Sequence, residues 1–286
     1  LTDLIETGSM MELEVVRERA GQTACEELTQ VWGIGPVTAW SMQQKHGVKT
    51  LGDLRSAVAA GKINLSSCQR IGLRLVRELK ERMPRSEATA IGAMVTKEAR
   101  SLVPGCFAMV CGSYRRGKQS SGDVDVLLGP PPSATGQDSE ADEAAMQSLL
   151  PNLLQQLHTS NFLTDDLTLP YTPFKSSGRY PSDGNSAEGS LPQTYMGVCK
   201  LGADHLHRRL DIKVYPREMI AFAQMYFTGS DYFNRSMRCL ARRQGWSLSD
   251  KGLKKRFGAG SVTCHSEKEI FEVMGMDWKE PHERDS

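Results

Sequence analysis

The segment Cys111-Gly112-Ser113-Tyr114-Arg115-Arg116-Gly117-Lys118-Gln119-Ser120-Ser121-Gly122-Asp123-Val124-Asp125-Val126-Leu127-Leu128 constrains this chain more than any other. Val124, Val126, Leu127 and Leu128 make its second half apolar and β-branched, which predicts a largely buried strand. Residues i and i+2 of a strand share a face. Asp123 and Asp125 therefore project side by side from a rigid element. Two carboxylates ~4 Å apart repel by about 4 kcal/mol at an effective dielectric of 20. A hard divalent cation with oxygen ligands offsets such repulsion. Upstream, Gly112 and Ser113 followed by Arg115 and Arg116 supply amides, a hydroxyl and guanidinium groups, which are phosphate-binding parts. A bare Asp-x-Asp would read as surface acids flanking a turn. The upstream glycine, serine and arginines point instead to phosphoryl or nucleotidyl transfer.

A second stretch, Arg208-Arg209-Leu210-Asp211-Ile212-Lys213-Val214, puts Asp211 in another buried-looking strand. A third carboxylate from a neighbouring strand would complete an oxygen set for two divalent ions. Alone, Asp211 reads equally well as half of an ion pair with an adjacent arginine. Beside Asp123 and Asp125 the metal role is favoured, with Arg209 orienting Asp211. A weaker signal is Gly33-Ile34-Gly35 ahead of Pro36. Amides at a helix start favour phosphate without reading base sequence, and a tight turn between packed helices explains the glycines as well.

The bulk properties set wide limits. A chain of 286 residues with 39% hydrophobic and 24% charged residues fits about two globular domains. No apolar run approaches the ~20 residues that cross a bilayer, and no signal peptide is visible. Seven cysteines without a Cys-x-x-Cys pair read as reduced thiols of an intracellular protein. His205 and His207 read as turn residues, since nothing completes a zinc set around them. The net charge is only +1, but it is unevenly placed. Residues 129–166 hold six acids and no Lys or Arg, whereas 235–256 hold eight Lys or Arg and one acid. A polyanion would be drawn to the second stretch; a solvated helix face is the plainer alternative.

Periodicity predicts helices over 1–28, after Pro36, from Thr50, over 71–82, 88–102, 146–158, 217–227, 230–244 and 266–274. Strands are predicted over 107–111, 123–128, 195–201 and 210–215. Residues 167–193, rich in Pro, Ser, Gly and Tyr, read as a long loop.

These residues resemble the family X DNA polymerases along nearly the whole chain. The likeness is carried by Val31-Trp32-Gly33-Ile34-Gly35-Pro36, Glu81-Arg82-Met83-Pro84-Arg85, residues 111–128, Phe162 through Leu167 and Arg208 through Ile212. It continues through Tyr226-Phe227-Thr228-Gly229-Ser230-Asp231-Tyr232-Phe233-Asn234-Arg235-Ser236-Met237-Arg238 to the ending from Glu269 through Pro281. The resemblance implies an α+β fold: helical fingers with a helix-hairpin-helix over 29–81, a nucleotidyltransferase palm on a mixed β-sheet over 82–215, and a small α/β thumb over 216–286. Residues 1–28 would be the remnant of a lyase domain. It also implies gap filling from dNTP on gapped or primer-template DNA. Asp123, Asp125 and Asp211 would hold two Mg²⁺ (Mn²⁺ as the alternative), with Asp211 accepting the primer hydroxyl proton. Arg82, Gly112, Ser113, Arg116 and Gly122 match phosphate contacts. Tyr226, Phe227 and Gly229 match the segment that excludes a ribose 2′-hydroxyl, and Asp231 and Asn234 lie near the incoming base and sugar. Gly33, Gly35 and Arg238 match DNA contacts. Carbonyls of Thr29, Val31 and Ile34 match those holding Na⁺ or K⁺ against the primer phosphate. A nuclear, monomeric repair enzyme of base excision repair and end joining is implied, with repair partners bound through further N-terminal domains.

Two departures matter. No Lys precedes Lys45, and aligning Glu6-Thr7-Gly8 with the lyase domain's last turn places Leu1 past the Schiff-base lysine. The expectation is a polypeptide without lyase activity. The 167–193 stretch is longer than in template-directed relatives, which keeps open a template-independent nucleotidyltransferase resembling terminal transferase. An inactive DNA-end-binding scaffold is a further alternative, disfavoured by the presence of all three acids.

Overall fold

The computed structural model describes residues 25–132, 140–169, 192–257 and 259–285. Residues 1–24 of the helix expected over 1–28, the lyase alignment and most of the 167–193 loop lie outside these residues. The chain divides into two compact units, ending and beginning at Lys80 and Glu81.

In the first unit, residues 25–28 are helical, and Leu28, Val31 and Ile34 are buried with Ala39, Leu54 and Val76. The glycine turn between them delivers α1 (Pro36–His46), with Gly35 as N-cap and Pro36 at the first helical position. Proline suits that place because its missing N–H would be unpaired there anyway. Helix α2 (Leu51–Ala59) starts on a Thr50–Asp53 capping box. Helix α3 (Ser67–Lys80) crosses the turn at Gly72. A Cβ on Gly72 would stand 2.6 Å from the Trp32 carbonyl oxygen, so only glycine allows this approach.

The second unit is built on a five-stranded mixed sheet. Its strands are β2 (Phe107–Val110), β4 (Asp123–Gly129), β5 (Leu163–Thr168), β6 (Gln193–Cys199) and β7 (Arg208–Val214), in the order β2-β4-β7-β6-β5. Only β4 and β7 run parallel; the other pairs are antiparallel. A two-stranded ladder pairs β1 (Met83–Pro84) with β3 (Ser120–Ser121). Helices α4 (Arg85–Leu102) and α6 (Glu140–Thr159) contribute Ile91, Val95, Leu150 and Leu153 to one core with Val124, Val126, Leu128, Leu210, Ile212 and Val214. The opposite face buries Leu127 with Cys111, Tyr215 and Ala223. The period of two thus turns Val124, Val126 and Leu128 to the helices and leaves Asp123 and Asp125 on the other face. Strand β7 repeats the pattern, with Arg209, Asp211 and Lys213 opposite Leu210, Ile212 and Val214.

After this sheet come α7 (Arg217–Thr228) and α8 (Asp231–Arg243), a small antiparallel sheet of β8 (Trp246–Ser249), β9 (Gly252–Lys255) and β10 (Ser261–Val262), and α9 (Glu267–Val273). Phe222, Phe233, Met237, Leu253, Ile270 and Phe271 form their shared core. The seven cysteines are free thiols. Among the described residues no helix is long and apolar enough to cross a membrane.

Candidate active site

Parallel register brings the acids together. Asp125 is paired with Asp211, Asp123 with Arg209, and Leu127 with Lys213. Two strands that each alternate charge with an apolar residue thereby create a charged ladder. Arg209 Nη2 lies 3.1 Å from Asp123 Oδ2 and 3.5 Å from Asp211 Oδ2. Lys213 Nζ lies 2.6 Å from Asp125 Oδ1 and 3.5 Å from Asp211 Oδ2, with its ammonium 4.6 Å from the centre of the Phe227 ring.

Electrostatics follow from this burial. Burial pushes the Asp123 carboxyl above its ordinary value, and the charge of Asp125 adds to it. Burial likewise raises Asp211, against the pull of Lys213. For Lys213 burial alone would lower the ammonium, but Asp125 and Asp211 hold it above its ordinary value. The ion-pair alternative and the acid cluster are both present, because the basic residues stand between the acids. Among the described residues no group of three or more His, Cys, Asp or Glu side chains is arranged to hold a metal ion. The set nonetheless fits a cation. Asp125 and Asp211 already hold the Lys213 ammonium between them, and Asp211 Oδ1 is buried with no hydrogen-bond partner.

The turn between β2 and β4 forms the adjoining wall. Cys111 N–H donates to the Asp125 carbonyl at 2.8 Å, leading into the short helix α5 (Gly112–Arg115). Gly112 has φ +59°, and a Cβ there would come within 2.8 Å of Asp125 Oδ2. Ser113 Oγ donates to Ser121 Oγ at 3.1 Å. Arg82 is held by Ser120, donating Nε to Oγ at 2.8 Å and Nη2 to the carbonyl at 2.5 Å. Arg116 Nη1 donates to the Thr228 carbonyl at 2.6 Å, and Asn234 Nδ2 to the Tyr226 carbonyl at 2.7 Å. The Gly229–Ser230 peptide is cis.

Beside these contacts lies one open cleft of about 520 Å³. It brings together Arg82, Gly112, Ser113, Arg116, Gly122, Tyr226, Phe227, Gly229, Asp231 and Asn234, along with Asp123, Asp125 and Arg238. Asp211 and Arg209 sit beside it on β7, outside the lining. Lys118 and Ser230 also line it, and neither stood out in the sequence. Lys213 and Asp285, which pairs with Arg116 at 2.7 Å, were missed as well. For Lys213 the alternation of Arg209, Asp211 and Lys213 was an available signal. For Asp285 there was none, because its partner lies far away in sequence.

In the first unit Gly33 and Gly35 are exposed, and Gly35 has open space where a Cβ would be. Gly33 takes φ +82°, and its carbonyl accepts from Gln69 Nε2 at 2.9 Å. The Val31 carbonyl accepts from Ile34 N–H at 3.0 Å, and Thr29 Oγ1 donates to the Glu26 carbonyl at 3.0 Å.

A mixed sheet with acids on its parallel step, an adjoining glycine-serine-arginine turn and a following α/β region define a polymerase-beta-like fold. Residues 82–217 match the DNA polymerase beta palm, 223–285 the DNA polymerase beta thumb, and 26–80 the fingers domain of DNA polymerase lambda. DNA polymerase lambda of Rattus norvegicus is 36% identical over 294 aligned residues, covering 99% of this chain and 45% of that protein. DNA polymerase lambda of Arabidopsis thaliana is 30% identical over 294, covering 99% and 50%. The chain belongs to the family X DNA polymerases. It spans about half the length of the curated relatives it matches.

Proposed function

We propose that this chain carries out template-directed synthesis of DNA in short gaps, joining a dNTP to a primer 3′-hydroxyl. The observation that carries the reading is the Asp125–Asp211 register on parallel strands, with Asp123 beside it and a cleft of amides and guanidinium groups adjoining. The cleft volume lies in the range of small-molecule sites, and its cations complement a triphosphate.

In this reading Asp123, Asp125 and Asp211 would hold two Mg²⁺ ions, whose charge would offset that of the transferring phosphate and make the primer hydroxyl more acidic. Arg82, Ser113, Arg116 and the amides at Gly112 and Gly122 bind and orient the β- and γ-phosphates. The primer oxygen bonds to the α-phosphorus, the bond to the bridging oxygen breaks, and pyrophosphate leaves. Asp211 takes the hydroxyl proton. Arg209 positions Asp211 and Asp123. Tyr226, Phe227 and Gly229 close around the sugar, Asp231 and Asn234 flank the incoming nucleotide, and Arg238 reaches the template side.

The same reading divides the chain into a 1–28 remnant, fingers (29–81), palm (82–215) and thumb (216–286). It gives Gly33 and Gly35 a primer phosphate, with Na⁺ or K⁺ held by the carbonyls of Thr29, Val31 and Ile34. It also places the chain in the nucleus, as a monomer in base excision repair and end joining with repair partners.

The test is dNTP incorporation on gapped, primed and single-stranded DNA, with and without EDTA. Extension on gapped DNA that EDTA abolishes is the expected result. Equal extension of a single strand without template would replace the reading with a template-independent transferase. No incorporation with intact DNA binding would replace it with a scaffold.

A further inference from the structure

The C-terminal turn delivers an acid to the phosphate cradle. Residues Pro281–Glu283 form a 3₁₀ turn, and Arg284 behind it is wholly buried. Its guanidinium carbon lies 4.9–5.4 Å from the ring centres of Trp278, Phe271 and Phe233. Its Nη1 donates to Glu267 Oε1 at 2.7 Å, and its carbonyl accepts from Ser230 N–H at 3.1 Å. The backbone is therefore pinned one residue before Asp285. Asp285 Oδ1 accepts from Arg116 Nε at 2.7 Å, and Oδ2 pairs with Lys118 Nζ at 2.7 Å. Both cations line the cleft. Burial pushes the Asp285 carboxyl up, but hydrogen bonds from Lys118 and Arg116 outweigh it and hold the group below its ordinary range.

We propose that Asp285 is a fixed counter-charge of the phosphate cradle, a residue that weakens the hold of Arg116 and Lys118 on free polyphosphate anions and so favours release of pyrophosphate. The proposal rests on reading the cleft as a triphosphate site. Two cations beside backbone amides would retain a multiply charged anion strongly. A carboxylate between them cancels part of that field, and its anchored backbone keeps it from swinging away. A polyphosphate must then share Arg116 with Asp285. One unit charge a few ångströms from such an anion changes affinity by about tenfold at low salt.

The experiment is calorimetric binding of inorganic pyrophosphate and of tripolyphosphate to the full chain at constant Mg²⁺. Wild type, Asp285→Asn, Asp285→Ala and Arg116→Ala are compared, with urea unfolding to show that each is folded. Asparagine keeps an acceptor for Arg116 Nε and removes only the charge; alanine removes both. The expected result is about tenfold tighter binding by both Asp285 variants, a gap that narrows as salt rises, and weaker binding by Arg116→Ala. A merely structural role would weaken binding instead. Wild-type binding with equal or weaker binding by the Asp285 variants overturns the counter-charge and leaves the triphosphate reading standing. No binding by wild type or either Asp285 variant overturns both.

Discussion

Asp125 and Asp211 face each other directly across the parallel step between β4 and β7. A shift of one residue in either strand would turn its acids into the helical core and its valines, leucines and isoleucine outward. The register that buries Val126 and Ile212 is therefore the register that assembles the acids.

Asp211→Ala should abolish incorporation while DNA binding survives. The lost carboxylate acts on the transition state, so kcat on gapped DNA should fall by about 1,000-fold or more, roughly 4 kcal/mol. Single-turnover incorporation beside a DNA-binding titration checks this. Near-normal incorporation by the variant would refute the role.

Lys213→Met should destabilise the metal-free protein. It leaves buried Asp211 and half-buried Asp125 without the ammonium at 3.5 and 2.6 Å. Removing one partner of a buried pair costs about 3–5 kcal/mol. Saturating Mg²⁺ should restore more stability to this variant than to wild type, because a bound ion replaces the missing charge. Urea unfolding with Mg²⁺ and with EDTA reads both effects.

Glu267→Ala should be strongly destabilising under all conditions. Glu267 accepts from Arg115 at 3.0 and 2.6 Å, from Gln224 at 3.0 Å and from Arg284 at 2.7 Å. Its removal leaves two cations with little solvent exposure uncompensated, at a cost of about 3–5 kcal/mol. Urea unfolding should show the loss with and without Mg²⁺, unlike Lys213→Met.

Cys111 should resist alkylation at pH 8 in the folded protein. Burial, reinforced by the charge of Asp125, pushes its thiol up to about 12. Cys239 is exposed and should react first. Timed labelling with mass spectrometry distinguishes the two; equal rates would contradict the packing.

Acid should loosen the start of α2 through Asp53. Hydrogen bonds from Lys49 and Thr50 N–H and the Thr50 hydroxyl hold its carboxyl below the ordinary range. The folded state therefore binds this proton less readily than the unfolded one. The contribution is complete above the ordinary aspartate range and disappears as pH falls through the lowered value. The Asp53 amide should lose protection relative to its intrinsic exchange rate over that window, and Asp53→Asn should flatten the dependence.

Most elements were legible in local pattern. Pro36 and the Thr50 cap mark helix starts, and alternation marked β4 and β7. Boundaries moved by a few residues. Strand β6 begins at Gln193 rather than Tyr195, and α6 begins at Glu140 rather than Met146, because ladder bonds and packing extend an element beyond its apolar centre.

The sequence alone determined that Asp123 and Asp125 share a face, since two-residue alternation is a local property of a strand. It also marked Asp211 and the glycine-serine-arginine turn. Only the tertiary structure decided that β7 lies parallel to β4 with Asp211 opposite Asp125, that Lys213 stands between the acids, and that Asp285 reaches Arg116. Those relationships depend on which strands pair and where a distant turn is anchored. Local periodicity fixes the face a side chain takes, but long-range packing chooses what it meets there.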